Sequence, residues 1–149
     1  MTAEGFAIHS DRMRQHISEI SYLTRHRIAL GAFISGEAYI KAQKARRKLT
    51  EDTRQIMDAN GLDLLCYPAM LGDPPKLEDM AAYYYFDLPL IPAPANLPGM
   101  PASSVRAGFS EVNMPMAFQL SGRHFDAGKV LQVAHAYEIA TPDLAKIVE

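Results

Sequence analysis

Between Asp87 and Pro101 the chain places five prolines, at Pro89, Pro92, Pro94, Pro98 and Pro101. Each removes a backbone N–H and fixes φ, so neither a regular helix nor a central strand can run through this stretch. Most of the intervening residues are Leu, Ile, Ala, Asn and Gly rather than charged or Ser-rich. That composition suits an ordered crossover packed on a core, not a solvated tether. Regular elements must therefore lie on either side of it.

The N-terminal side reads as helices. Over Glu4–Ile20, Phe6, Met13, Ile17 and Ile20 recur at offsets that put them on one face. A shorter helix is expected over Leu23–Ile34. The clearest helix spans about Ser35 to Asn60, with Ala38, Ala42, Ala45, Leu49, Thr53 and Ile56 as a continuous stripe. Lys41, Lys44 and Lys48 share another face, which reads as solvated. Asn60-Gly61 is a stop, because glycine accepts the left-handed backbone at a helix C-terminus.

Beyond it the pattern changes. Leu62–Tyr67 is a short apolar run bounded by Gly61 and Pro68, as for a buried strand. Met70–Lys76 carries Gly72, Pro74 and Pro75 and reads as loop. Leu77–Phe86 is ambiguous, with helix weakly favoured. After the prolines, Ala102–Gly108 and Met116–Ser121 read as strands joined by a turn at Ser110–Pro115. His124–Ala140 is a helix with Asp126 as N-cap, Phe125 and Val130 as a hydrophobic staple, and Thr141-Pro142 as its end. The expected class is α/β, a small sheet with flanking helices, in one segment over residues 1–149. Residues 1–60 are helical; residues 61–149 hold strands, crossover and closing helix.

Composition excludes several functions. The formal charge is −2, with no basic excess to suggest nucleic acid. No apolar run approaches the roughly 18–20 residues of a membrane helix. The first residues lack the apolar core of a signal peptide. The single cysteine, Cys66, rules out an internal disulfide and fits a reducing cytoplasm. Within an apolar strand it reads as a small buried hydrophobe.

Chemistry-bearing motifs are sparse. There is no P-loop, no GxGxxG after a strand and no GxSxG elbow. The histidines His9, His16, His26, His124 and His135 make no metal-ligand spacing, so neither metal nor cofactor is expected. Ser103-Ser104 lies in PASSVRAG, without the preceding glycines or base that an activated serine needs, and reads as a turn-to-strand pair.

Five pieces in order nevertheless form a recognisable series: EGFAIHSDRM, RHRIALGAFISGEAYIKAQKARRKL, GLDLLCYPA, NLPGMPASS and NMPMAFQLSGRHFD. Together they resemble the C-terminal third of the amidase signature family, which includes the A subunits of glutamyl-tRNA amidotransferases. The resemblance implies a partial amidase-signature fold, with a small mixed sheet and flanking helices. It also implies that the family's lysine, cis-peptide serine and nucleophilic serine belong to a part preceding Met1, so this chain carries no catalytic residue. The implied role is scaffold and pocket wall of a carboxamide hydrolase, inactive alone. The partner is an N-terminal amidase half or a second copy of the chain, and a small amide binds only the assembled enzyme. The alternative is a non-catalytic assembly module that pairs with another chain.

The resemblance places Arg27, with Arg25 second, where the amidotransferase members of the family grip the substrate's amino-acid head. Tyr67, Pro68 and Asn96 are the other expected pocket residues; Asn96 reads equally as a turn residue bonding its own backbone. Pro89 and Pro92 replace an Asp and a Thr common in relatives. Asn113–Ala117 replaces a Gly-Leu-Pro-x-Gly run. The missing aspartate argues for a general amidase ancestor rather than a glutamine-specific one.

Overall fold

The computed structural model describes residues 2–74, 76, 78 and 93–145. Most of Leu77–Phe86, and Asp87, Pro89 and Pro92, lie outside the described residues. The chain divides into two compact units, Met1–Arg47 and Lys48–Glu149. Among the described residues no helix is long and apolar enough to cross a membrane.

The first unit is helical. Helix α1 runs Thr2–Gln15, a 3-10 turn follows at Ile17–Glu19, α2 spans Tyr22–Ala29, and a second 3-10 turn covers Leu30–Phe33. The expected Glu4–Ile20 helix is thus cut short. His16 leaves the helical region (φ −136°, ψ 38°) and Ile20 is extended. The run His16–Ser18 holds only weak helix formers, so nothing in it resists the break. Phe6, Met13 and Ile20 are half-buried, whereas Ile17 faces solvent. Gly31 is buried because α1 crosses it closely: a Cβ there would run into the Thr2 carbonyl oxygen and the Phe6 Cβ.

Helix α3, Gly36–Ala59, contributes residues to both units. Ser35 caps it, its hydroxyl accepting the Ala38 N–H at 3.1 Å. Gly61 ends it at φ 61°, and the Leu62 N–H donates to the Met57 carbonyl at 2.8 Å, the long bond of a Schellman turn. The anticipated stripe is not the buried one. Ala38, Ala42, Ala45, Leu49 and Ile56 are exposed. Met57 is instead the fully buried residue of the helix, with Thr50 and Thr53 half-buried on its face. The helix carries apolar residues on more than one side, so periodicity alone did not choose the face.

The second unit has three layers. Strands β1 (Leu64–Pro68), β2 (Ala102–Phe109) and β3 (Pro115–Gly122) form a sheet in the order β1-β3-β2. All described pairings are antiparallel. A short helix α4 spans Ala93–Asn96, and α5 spans Ala127–Ala140. On one face α5 packs Val130 and Ala134 against Val105 and Leu120, flanked by Leu64, Phe118, Val133 and Tyr137. Phe118 and Tyr137 meet edge to face at 4.9 Å. On the other face Met57, Ala95 and Met100 cluster with Leu62 and Leu65.

Two local expectations fail here. Asp126 does cap α5, accepting the Lys129 N–H at 3.3 Å, but Phe125 does not staple it. Phe125 adopts φ 63°, and its side chain is fully exposed. Val130 turns inward instead, toward Gly122 and Leu64. Cys66 is exposed rather than buried, and β1 lies at the edge of the sheet formed by the described strands.

Candidate functional site

A cleft of about 280 Å³ opens in the second unit, lined by Thr53, Arg54, Met57, Asp58, Met100, Arg123 and His124. Three segments build it. The last turns of α3 bring the first four residues. The link from α4 to β2 brings Met100. The turn from β3 to α5 brings Arg123 and His124.

Hydrogen bonds hold these segments together. The Pro98 carbonyl accepts the Thr50 hydroxyl at 3.3 Å and the His124 Nε2–H at 2.8 Å. Arg123 donates to the Leu62 carbonyl from Nε at 3.1 Å and from Nη2 at 2.8 Å, and from Nη1 to Asp58 Oδ1. Asp58 Oδ2 accepts from Arg54 at 2.7 Å. Asp58 is therefore shared between two guanidinium groups. Arg54 also forks onto Glu51, at 3.1 and 2.8 Å. That contact, with a second hydrogen bond from Gln55, lowers the Glu51 carboxyl from its ordinary 4.5 to about 2.

The cleft's charges are thus spent on one another and on backbone carbonyls. His124 uses its Nε2–H on a carbonyl, and the Thr53 hydroxyl donates to the Leu49 carbonyl at 2.8 Å. Neither forms a nucleophile–base pair with a cleft neighbour. The floor is apolar, formed by Met57 and Met100. Such an arrangement can hold and position chain segments, or take up an apolar group; it supplies no proton relay. Among the described residues, no group of three or more His, Cys, Asp or Glu could hold a metal ion.

Of the residues expected to line a pocket, Tyr67 and Pro68 close β1. Tyr67 is half-buried, its hydroxyl 2.6 Å from the Ser121 Oγ. Ser121 is fully buried. Tyr67 pairs across the sheet with Gln119, which pairs in turn with Ser104. A polar row Tyr67–Gln119–Ser104 therefore crosses the face that carries Leu65. Pro68 is exposed. Asn96 ends α4 and is exposed, while Gly99 and Met100 both donate to the Ala95 carbonyl beside it. Arg27 lies on α2 in the first unit and is exposed. Tyr67 and Pro68 are consecutive in β1 and so point to opposite faces of the sheet, and among the described residues no hydrogen bond joins Asn96 to either. Ser103 and Ser104 are both within β2. Sequence reasoning missed Ser121, Arg123 and Asp58. The Asp58-x-Asn60-Gly61 helix end and the Arg123 that follows Gly122 were the available signals.

A family model described as Amidase matches residues 6–131. The A subunit of the glutamyl-tRNA(Gln) amidotransferase of Pseudothermotoga lettingae is 38% identical over 124 residues, which are 79% of this chain and 26% of that protein. Its Thermotoga maritima counterpart is 36% identical over the same shares. The chain therefore spans about a quarter of the length of the curated relatives it matches. Among solved structures, a 6-aminohexanoate cyclic dimer hydrolase superposes on 97% of this chain and 34% of its own, with a TM-score of 0.77 at 19% identity.

Proposed function

The chain belongs to the amidase family, and on that premise we propose that it supplies scaffold and pocket wall to a carboxamide hydrolase whose serine machinery lies in the part of the fold outside this span. The observation that carries this reading is the pairing of a family match over residues 6–131 with a span of only about a quarter of the relatives' length. The catalytic lysine and serines implied by the sequence resemblance belong to the part of the relatives beyond that span. In the assembled enzyme an amide would be cleaved through an acyl-enzyme, with its oxyanion held by backbone donors.

Tyr67 and Pro68, at the end of β1, and Asn96 are assigned to a pocket wall in the second unit; Arg27, in the first unit, is assigned to substrate binding by the sequence resemblance alone. The Tyr67–Ser121 hydrogen bond fixes the phenol ring, which suits a wall more than a reacting group. The lone Cys66 fits a reducing, cytoplasmic setting. A second reading, a non-catalytic assembly module, draws on the exposed apolar side chains of Ile40, Leu49 and Ile56.

Co-expression separates the two. The chain is produced with the part of the Thermotoga maritima relative that precedes the region of similarity, and ammonia release from carboxamides is measured. Hydrolysis by the pair and by neither component supports the first reading. A stable but inert pair supports the second.

A further inference from the structure

The turn between β3 and α5 is pinned at three of its four residues. Arg123 is tied to the Leu62 carbonyl and Asp58, His124 to the Pro98 carbonyl, and Asp126 to the first turn of α5. The Asp126 N–H also closes back on the Arg123 carbonyl at 3.1 Å. Phe125 alone points away. Its side chain is 104% exposed, as open as in an extended peptide, and its backbone sits at φ 63°. That left-handed region disfavours a bulky side chain, and nothing among the described residues of this unit covers the ring to offset it. Its nearest aromatic neighbour, His124, has its ring centre 6.5 Å away. A rigid aromatic residue held out by a pinned turn loses little conformational freedom on burial, which is the character of an interface anchor.

We propose that Phe125 is the anchor by which this segment packs on the rest of an amidase fold, its ring filling an apolar pocket there. The inference rests on the functional reading above. What makes that body the occupant is length. The family neighbours superpose on nearly all of this chain, yet two thirds of their own length lies outside the match.

The test is thermal unfolding of two proteins, each with and without Phe125→Gly. One is the chain alone. The other is a hybrid in which this chain replaces the matching region of the Thermotoga maritima relative. In the chain alone, glycine relieves the positive φ and no contact is lost, so the melting temperature stays level or rises by a few degrees, roughly 2–5 °C. In the hybrid a buried ring is lost, and the melting temperature falls by about 5 °C or more. The inference is overturned if the substitution destabilises the chain alone, or if it turns a dimer of the chain into a monomer, which would make a second copy the occupant. It is also overturned if the hybrid is indifferent to the change or does not fold with Phe125 in place. Because the readout is unfolding, a folded but inert hybrid would count against the catalytic reading and not against this one.

Discussion

Arg123 offers the sharpest test of how the second unit is held together. Its guanidinium makes two hydrogen bonds to the Leu62 carbonyl, just past the end of α3, and a third contact to Asp58. Each hydrogen bond to a charged donor is worth about 1.5–3 kcal/mol when buried. The side chain of Arg123 is one-third exposed, and water can replace part of what is removed. Arg123→Ala should therefore cost about 2 kcal/mol in total rather than the sum of three bonds. For a chain of this size that lowers the melting temperature by about 4–8 °C. Lysine at this position can reach one acceptor but not fork onto two, so Arg123→Lys should recover less than half of the loss. Asp58→Asn removes only the ionic partner and should cost about 1 kcal/mol or less. Circular dichroism melts of the single and double variants of Arg123 and Asp58 give the coupling, expected near 0.5–1 kcal/mol. Two results would refute the reasoning. One is an Arg123→Ala cost below about 0.5 kcal/mol. The other is an Asp58→Asn cost equal to that of Arg123→Ala, which would make the ion pair, not the carbonyl, the feature that matters.

Two further outcomes are expected. Gly31→Ala forces a methyl against the Thr2 carbonyl and Phe6, so it should destabilise by about 1–3 kcal/mol; Gly36→Ala, with nothing within 4 Å of its new Cβ, should not, and loss of helical signal on urea titration distinguishes them. Glu51 should titrate near 2 by carboxyl carbon NMR, against an ordinary value of 4.5, and return upward in Arg54→Ala. Because its folded pKa is depressed, the stabilisation it gives is complete above about 4.5 and is lost as pH falls toward 2.

The parts of the fold legible in sequence are those that local chemistry decides. Ser35 and Asn60-Gly61 bracket α3 because a hydroxyl cap and a left-handed glycine act within one turn of the chain. The strands on either side of Ser110–Pro115 follow from apolar runs split by a turn, and the structure closes that turn with the Ser110 N–H donating to the Met114 carbonyl at 2.8 Å. What was not legible depends on distant partners. The buried face of α3 is chosen by Ala95 and Met100, which meet Met57 from far along the chain. The sequence offered Leu49 and Ile56 just as readily. Phe125 sits where a staple residue belongs, and only its backbone angle, fixed by the bonds of Arg123 and His124, turns it outward. At the candidate site the position of Tyr67 at a strand end was legible. Its partner Ser121 was not, since 54 residues separate them and only the β1–β3 register brings them together.

The central claim is that this chain completes an amide hydrolase without containing its reacting groups. The most direct measurement is ammonia release from a simple carboxamide by the purified chain, by the preceding part of the Thermotoga maritima relative, and by the two co-expressed. The account predicts release above background only from the co-expressed pair. Release by the isolated chain, whether or not it survives Ser104→Ala, or a stable pair with no hydrolysis of any amide offered, would contradict it.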